Sequence, residues 1–192
     1  LIQIPHEFFA AEAEKNDFKL PAAGQYGVGQ LFMPRKPGVR AELERIWRES
    51  VSDEGLKVLG WRDVPVDQSV LGYSVKDTEP FHRQIFIGKG PTIRNEEQFE
   101  RKLFVARKVA SNRIVQTMGE EARAYYPVSV SSRTIVYKGL ILGVDVSNYY
   151  VELKDERGQY AFALGHQRFA PNPLPSWTWD TPEPCLCHHA ET

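Results

Sequence analysis

Two cysteines in 192 residues, Cys185 and Cys187 with a single residue between them, cannot staple a fold. That scarcity excludes the disulfide framework of a small secreted domain and makes a reducing, cytoplasmic setting the expectation. Charge of one sign is missing too: 24 Lys and Arg against 25 Asp and Glu leave a net charge of -1. Nothing therefore steers the chain toward nucleic acid or a membrane surface. No run approaches the ~20 apolar residues of a membrane helix, and no secretory signal is visible. There is no internal repeat and no low-complexity tract. What is present is an ordinary globular balance, 42% apolar and 26% charged, in a length that suits one well-cored domain. The chain opens LIQIPHEFF, an apolar run that reads as already inside a domain, and closes PEPCLCHHAET, unlike anything before it. It reads as a piece of a longer chain.

Element by element, HEFFAAEAEK predicts a short helix with Pro5 at its start. QYGVGQLFM predicts a strand with Tyr26, Val28 and Phe32 near alternation, and PRKPG a turn. Val39, Leu43, Ile46, Trp47 and Val51 fall on one face of a helix that Gly55 stops. LKVLGWRDV reads as a buried strand, positions 65–80 as a long loop and RQIFIG as a short strand. Asn95 opens the longest helix with Gln98 three residues on, a capping-box spacing, and Phe99, Leu103, Ala106 and Ala110 form its buried stripe. VSVSSRTIVYKGLIL alternates like two strands or one bent one. Val146, Tyr149, Tyr150 and Leu153 predict an amphipathic helix, and QYAFALGHQRF a final strand. Strands and helices without a regular βαβ beat point to an α+β fold with layered sheets.

Most chemical motifs dissolve on inspection. The glycines of GQYGVGQ, at 24, 27 and 29, miss dinucleotide-loop spacing and read as close packing in a strand; GKGPT around Lys89 lacks the upstream glycine of a phosphate loop. CLCHH gathers two thiols and two imidazoles but is too compressed for paired zinc ligands, so it reads as tail residues and no metal site is assigned. His6 and His82 read as surface histidines, and the acidic groups around Glu12 and Glu96 as solvated helix faces. No nucleophile has a convincing neighbouring base.

GHQRFAPNPLPSW is the exception. A strand there ends on Arg168, whose planar fork suits two-point capture of a carboxylate and whose charge cannot be titrated away. Pro171, Pro173 and Pro175 stiffen the exit, limiting the entropy lost when a ligand binds. From the residues alone Arg168 is either ligand-holding or structural.

LIQIPHEFF, LKVLGWRDVPVD, SSRTIVYKGLIL and HQRFAPNPLPSW together resemble the amino-terminal class II glutamine amidotransferase domain of glutamate synthase large chains, in order from Leu1 to Trp177. The resemblance implies domain boundaries of 1–177 and a divergent tail at 178–192. It implies a four-layer αββα sandwich of the N-terminal-nucleophile hydrolase type, here incomplete. It also implies glutamine hydrolysis to glutamate and ammonia, the ammonia passing to 2-oxoglutarate at a distant flavin site. FMN and an iron–sulfur cluster belong to the intact enzyme, with no cofactor in this chain, and the other synthase domains are its partners. In the family a cysteine attacks the carboxamide, an H-N-G-E asparagine and glycine hold the oxyanion, and the arginine of H-Q-R-F grips the substrate α-carboxylate. Arg168 and Phe169 stand in that last motif.

The departures matter as much. The family's catalytic cysteine lies in a segment upstream of Leu1. Where family members read R-F-S-T-N-T, this chain has Ala170, Pro171 and Pro173, which removes hydroxyl donors. An ungapped alignment puts His188 on the motif histidine, His189 on the asparagine, Ala190 on the glycine and Glu191 on the glutamate. The catalytic set is therefore incomplete, and the chain alone is expected to be inactive. A non-catalytic amino-acid-binding domain or a docking module on the same fold are the competing readings.

Overall fold

The structure, a computed structural model, describes residues 1–167 and 176–178. In chain order the strands are β1 (Ile2–Gln3), β2 (Tyr26–Met33), β3 (Lys57–Asp63), β4 (Phe81–Gly88), β5 (Tyr126–Ser131) and β6 (Thr134–Ile135). The helices are α1 (His6–Lys15), α2 (Pro37–Asp53), α3 (Tyr73–Lys76), α4 (Glu96–Met118) and α5 (Val146–Tyr149). Four strands form one antiparallel sheet in the order β3-β4-β2-β5, and β1 pairs with β6 in a second.

β2 sits at the centre of the large sheet, and every one of its eight residues is buried. Its alternation sorts them: Leu31 and Met33 belong to a core under α2 and α4, whereas Tyr26, Val28 and Phe32 belong to an aromatic core on the other side. The two glycines between them are packing devices. A Cβ on Gly27 would lie 2.6 Å from Leu103 Cδ1, and one on Gly29 would lie 2.5 Å from Ile85 Cγ2. That is the close approach expected of the stretch at Gly27 and Gly29, whereas Gly24 has open space around it and φ 77°, a turn position and not a packing one.

α2 buries Val39, Leu43, Ile46, Trp47 and Val51, the stripe read from their spacing. α4 buries Phe99, Leu103, Ala106 and Ala110, and Ile114 one turn further. At about 1.5–3 kcal/mol for each large side chain buried, such a stripe outweighs helix propensity, which leaves isolated helices marginal. The α4 cap holds with a one-residue offset. Asn95 Oδ1 accepts from Gln98 N at 2.8 Å, while Gln98 Oε1 accepts from the Arg94 amide at 2.9 Å.

Several local readings change. PRKPG is not all turn, because Pro37 already begins α2. β3 is an edge strand paired only with β4, so Val58 to Trp61 are half-buried instead of enclosed. The 65–80 loop carries α3 and a turn at Gln68–Val70 capped by the Asp67 side chain. The expected helix over 146–153 breaks after α5, where Tyr150 adopts ψ 84°. Adjacent tyrosines on a helix point about 100° apart, yet both are fully buried against polar partners on one sheet face. A break reconciles the two demands. QYAFALGH forms only an isolated bridge, Ala163 to Ile2, and residues 159–167 are exposed. The short β1 is its only neighbour strand among the described residues, so alternation alone does not make it a strand of the core. No described helix is long and apolar enough to cross a membrane.

Candidate functional site

Polar side chains are buried on the aromatic face of the large sheet in two groups, and both hold down the segment that precedes Arg168. In the first, Gln30, Gln84 and Arg62 sit side by side on β2, β4 and β3, at matched register. Gln84 Nε2 donates to Gln30 Oε1 at 3.0 Å, and Arg62 donates to Gln84 Oε1 at 2.8 Å. The other arm of the guanidinium reaches Glu152 at 2.6 Å, with both side chains 3% exposed, and Glu12 lies 3.3 Å away. Tyr137 Oη donates to the second Glu152 oxygen at 2.6 Å. Burial, with the Glu152 charge beside it, pushes the Tyr137 hydroxyl well up and keeps it a donor. Glu12 is thus a partner of a buried cation and not part of a solvated face.

The second group centres on His82, which is 3% exposed and not the surface histidine its isolated position in the sequence implied. Phe32, Tyr149, Tyr150 and Trp177 surround its ring with centroids 5.0–5.7 Å away. Tyr149 Oη donates to Glu79 Oε1 at 2.5 Å and lies 2.6 Å from His82 Nε2. With its one proton given to Glu79, Tyr149 takes the proton that His82 carries on Nε2. Tyr150 Oη donates to the Lys138 carbonyl at 2.7 Å, and Glu79 also accepts from Arg35 at 3.0 Å and from Gln68. The result is a hydrogen-bonded file running from the rim to the core.

Burial, with a smaller contribution from the Arg35 guanidinium, lowers the His82 imidazole from 6.5 to about 3. No carboxylate touches the ring directly to offset that. His82 is therefore neutral in the folded chain at any pH above about 3, while in the unfolded chain it protonates near 6.5. Between those values the unfolded state binds more protons, so stability rises with pH and is lost as pH falls. This residue alone contributes a slope of up to about 1.4 kcal/mol per pH unit. Denaturant titrations at stepped pH should show the slope in the native chain and its loss in His82→Gln. Parallel acid sensitivity in both proteins would refute the assignment.

Trp177 closes this group. It is 3% exposed and stacks edge-on against Phe32 and His82. A Cβ on Gly139 would lie 2.6 Å from Trp177 Cζ3, so the glycine is what admits the indole. On the other side of the proline-rich stretch, Gln167 Oε1 accepts from the Gly143 amide at 3.3 Å. Arg168, Phe169, His189 and Ala190, with Cys185, Cys187 and His188, lie outside the described residues. The described ends of the Arg168 stretch are nevertheless anchored, at Gln167 by one hydrogen bond and at Trp177 by the aromatic core.

His6 is half-buried, with Nδ1 3.2 Å from the Tyr26 hydroxyl, and helps line a cleft of about 430 Å³ with Gln3, Tyr26, Glu96, Arg133 and Phe162. That cleft shares no lining residue with the His82 group. Glu100, expected in a solvated face, instead accepts from the Ser131 and Ser132 hydroxyls and ties α4 to the β5–β6 turn. Among the described residues no three His, Cys, Asp or Glu side chains gather as a metal site. The sequence reading missed both buried groups. The signal it could have used was faint: a polar residue at the inward position of each of three strands.

The model of the family described as glutamine amidotransferases class-II matches residues 1–192. The glutamate synthase [NADPH] large chain of Bacillus subtilis is 40% identical over 191 residues, all of this chain and 12% of that protein. Ferredoxin-dependent glutamate synthase 2 of Synechocystis is 33% identical over 188 residues, 98% of this chain and 12% of its own length. Glutamate synthase [NADH] of Saccharomyces cerevisiae is 34% identical over 201 residues, 100% of this chain and 9% of that protein. The chain thus spans about an eighth or less of these relatives. With the family model matching from residue 1 to residue 192, the chain belongs to the class-II glutamine amidotransferases.

Proposed function

We propose that this chain is glutamine-binding amidotransferase sequence of a glutamate synthase, whose intact form takes ammonia from glutamine to make glutamate. The observation that carries this is 40% identity to a glutamate synthase large chain across the whole chain. In this reading the two sheets are the middle layers of a four-layer αββα sandwich, residues 1–177 are the domain and 178–192 a divergent tail. Arg168 receives the α-carboxylate of glutamine, its charge complementing the anion in a two-point grip, with Phe169 beside it. FMN and an iron–sulfur cluster belong to other domains of the parent enzyme, which are this domain's partners in the cytoplasm.

The 192 residues by themselves should release no ammonia from glutamine above background. His189 replaces the amide donor of the oxyanion asparagine, and loss of one such donor costs about 3–4 kcal/mol of transition-state stabilisation. The only cysteines, Cys185 and Cys187, fall in the tail beside that motif. Coupled ammonia detection on the purified chain is the check; release that a glutamine analogue abolishes would contradict it. The altered oxyanion positions favour a second reading, an amino-acid-binding domain without turnover. Calorimetry with glutamine and glutamate tests both readings, which share binding and differ in turnover. Absence of heat with either ligand would remove them together.

A further inference from the structure

Four rings close around the His82 imidazole, and they are not held alike. Phe32 belongs to the central strand β2. Tyr149 and Tyr150 are fixed through their hydroxyls, at 2.5 Å to Glu79 and 2.7 Å to the Lys138 carbonyl. Trp177 is held by ring contacts, its centroid 5.7–5.9 Å from those of His82, Phe32 and Tyr149, and by one long hydrogen bond, Nε1 to the Val75 carbonyl at 3.5 Å. Residues 176–178 stand in no helix or strand. Of the four, the indole is the ring that can leave with the least disturbance of the sheet.

Its departure changes what the imidazole meets. Around the docked ring, the Tyr149 and Tyr150 hydroxyls lie 2.6 Å from Nε2 and 3.4 Å from Nδ1. The stretch before β4 brings Glu79, one hydroxyl removed, and the loop after β2 brings Arg35, which takes that carboxylate at 3.0 Å. The Lys138 ammonium lies over the Tyr126 ring at 4.4 Å, and on β3 Arg62 is engaged by Glu152 and Gln84. β2 faces the ring with Phe32, which does not titrate. No carboxylate touches an imidazolium there, whereas water can solvate one once the indole is gone.

We propose that Trp177 is an acid-released latch: protonation of His82 drives the indole from its seat at Gly139 while the four-stranded sheet stays folded. The sign follows from linkage. Docking keeps the ring neutral down to about 3, and an uncovered ring takes its proton near 6.5. Docking is therefore at full strength above 6.5 and is lost as pH falls. The undocking constant should rise by up to about a hundredfold between roughly pH 7.5 and roughly pH 4.5.

Fluorine NMR on the chain labelled with fluorotryptophan tests this. The Trp177 resonance, assigned by its loss in Trp177→Phe, should move to its solvent position over that range. The resonance of Trp47, fully buried in the other core, should stay in place. His82→Gln, which cannot take the proton, should hold Trp177 docked throughout. A converse measurement leaves His82 intact: in Trp177→Ala the His82 ring should titrate about two pH units or more above its value in the native chain. Equal titration in those two proteins overturns the proposal. So does a Trp177 resonance that moves only together with Trp47, or that moves alike in His82→Gln.

Discussion

Arg62→Met should lower the unfolding free energy by about 3–5 kcal/mol, the cost of leaving a buried carboxylate without its cation. Glu152 is 8% exposed and accepts from Arg62, Tyr137 and, at 3.5 Å, Gln84. Removing the guanidinium strands its charge in a place water barely reaches. Two opposed effects then compete, the desolvation of Glu152 and its two remaining donors, and neutral donors are too weak to win. Adding Glu152→Leu should return most of the loss, because replacing both members of a buried pair with apolar groups is often close to neutral. Urea titration of the two single variants and the double variant measures this as a coupling energy. Additive losses in the double variant would mean that Arg62 and Glu152 do not act as a pair. The recovery also bears on the site, since Glu152 is the tie between the sheet and the turn at Val151–Lys154.

Arg168→Ala should cost about 2–5 kcal/mol of glutamine or glutamate affinity, the range for truncating one side of a desolvated charge pair. Arg168→Lys is the sharper variant. Lysine keeps the charge but offers a point donor in place of a planar fork, so two-point capture is lost and most of the affinity should go with it. Calorimetry on the three proteins, with unfolding curves alongside, separates binding from folding. Equal affinity in all three would end the role assigned to Arg168. A structural arginine would betray itself differently, by a fall in stability with no change in affinity.

Much of this fold was legible because it is written locally. The α2 stripe at Val39, Leu43, Ile46, Trp47 and Val51 follows from helical spacing, and the Asn95–Gln98 cap spans only three residues of chain. The 146–153 segment misled for the converse reason. Its apolar spacing is helical, but Tyr149 and Tyr150 answer to Glu79 and to the Lys138 carbonyl, partners lying 70 and 12 residues away. QYAFALGH alternates as a strand should, yet β pairing depends on a neighbour, and alternation cannot supply one. For the site, physics brought Arg168 only to a choice between a ligand grip and a structural arginine; the proposed grip rests on the resemblance of the HQRF phrase.

The order of residues by itself determined α1, α2 and α4, the glycine approaches in β2 and the family, since spacing, cap chemistry and motif all act within a few residues. Only the tertiary structure decided that His82 is buried and neutral, and that Arg62, Gln84, Gln30 and Glu152 form one network. Those contacts span 22, 54 and 90 residues of chain. Strand register and burial come from distant partners, so which polar groups leave water together is settled when the sheet closes.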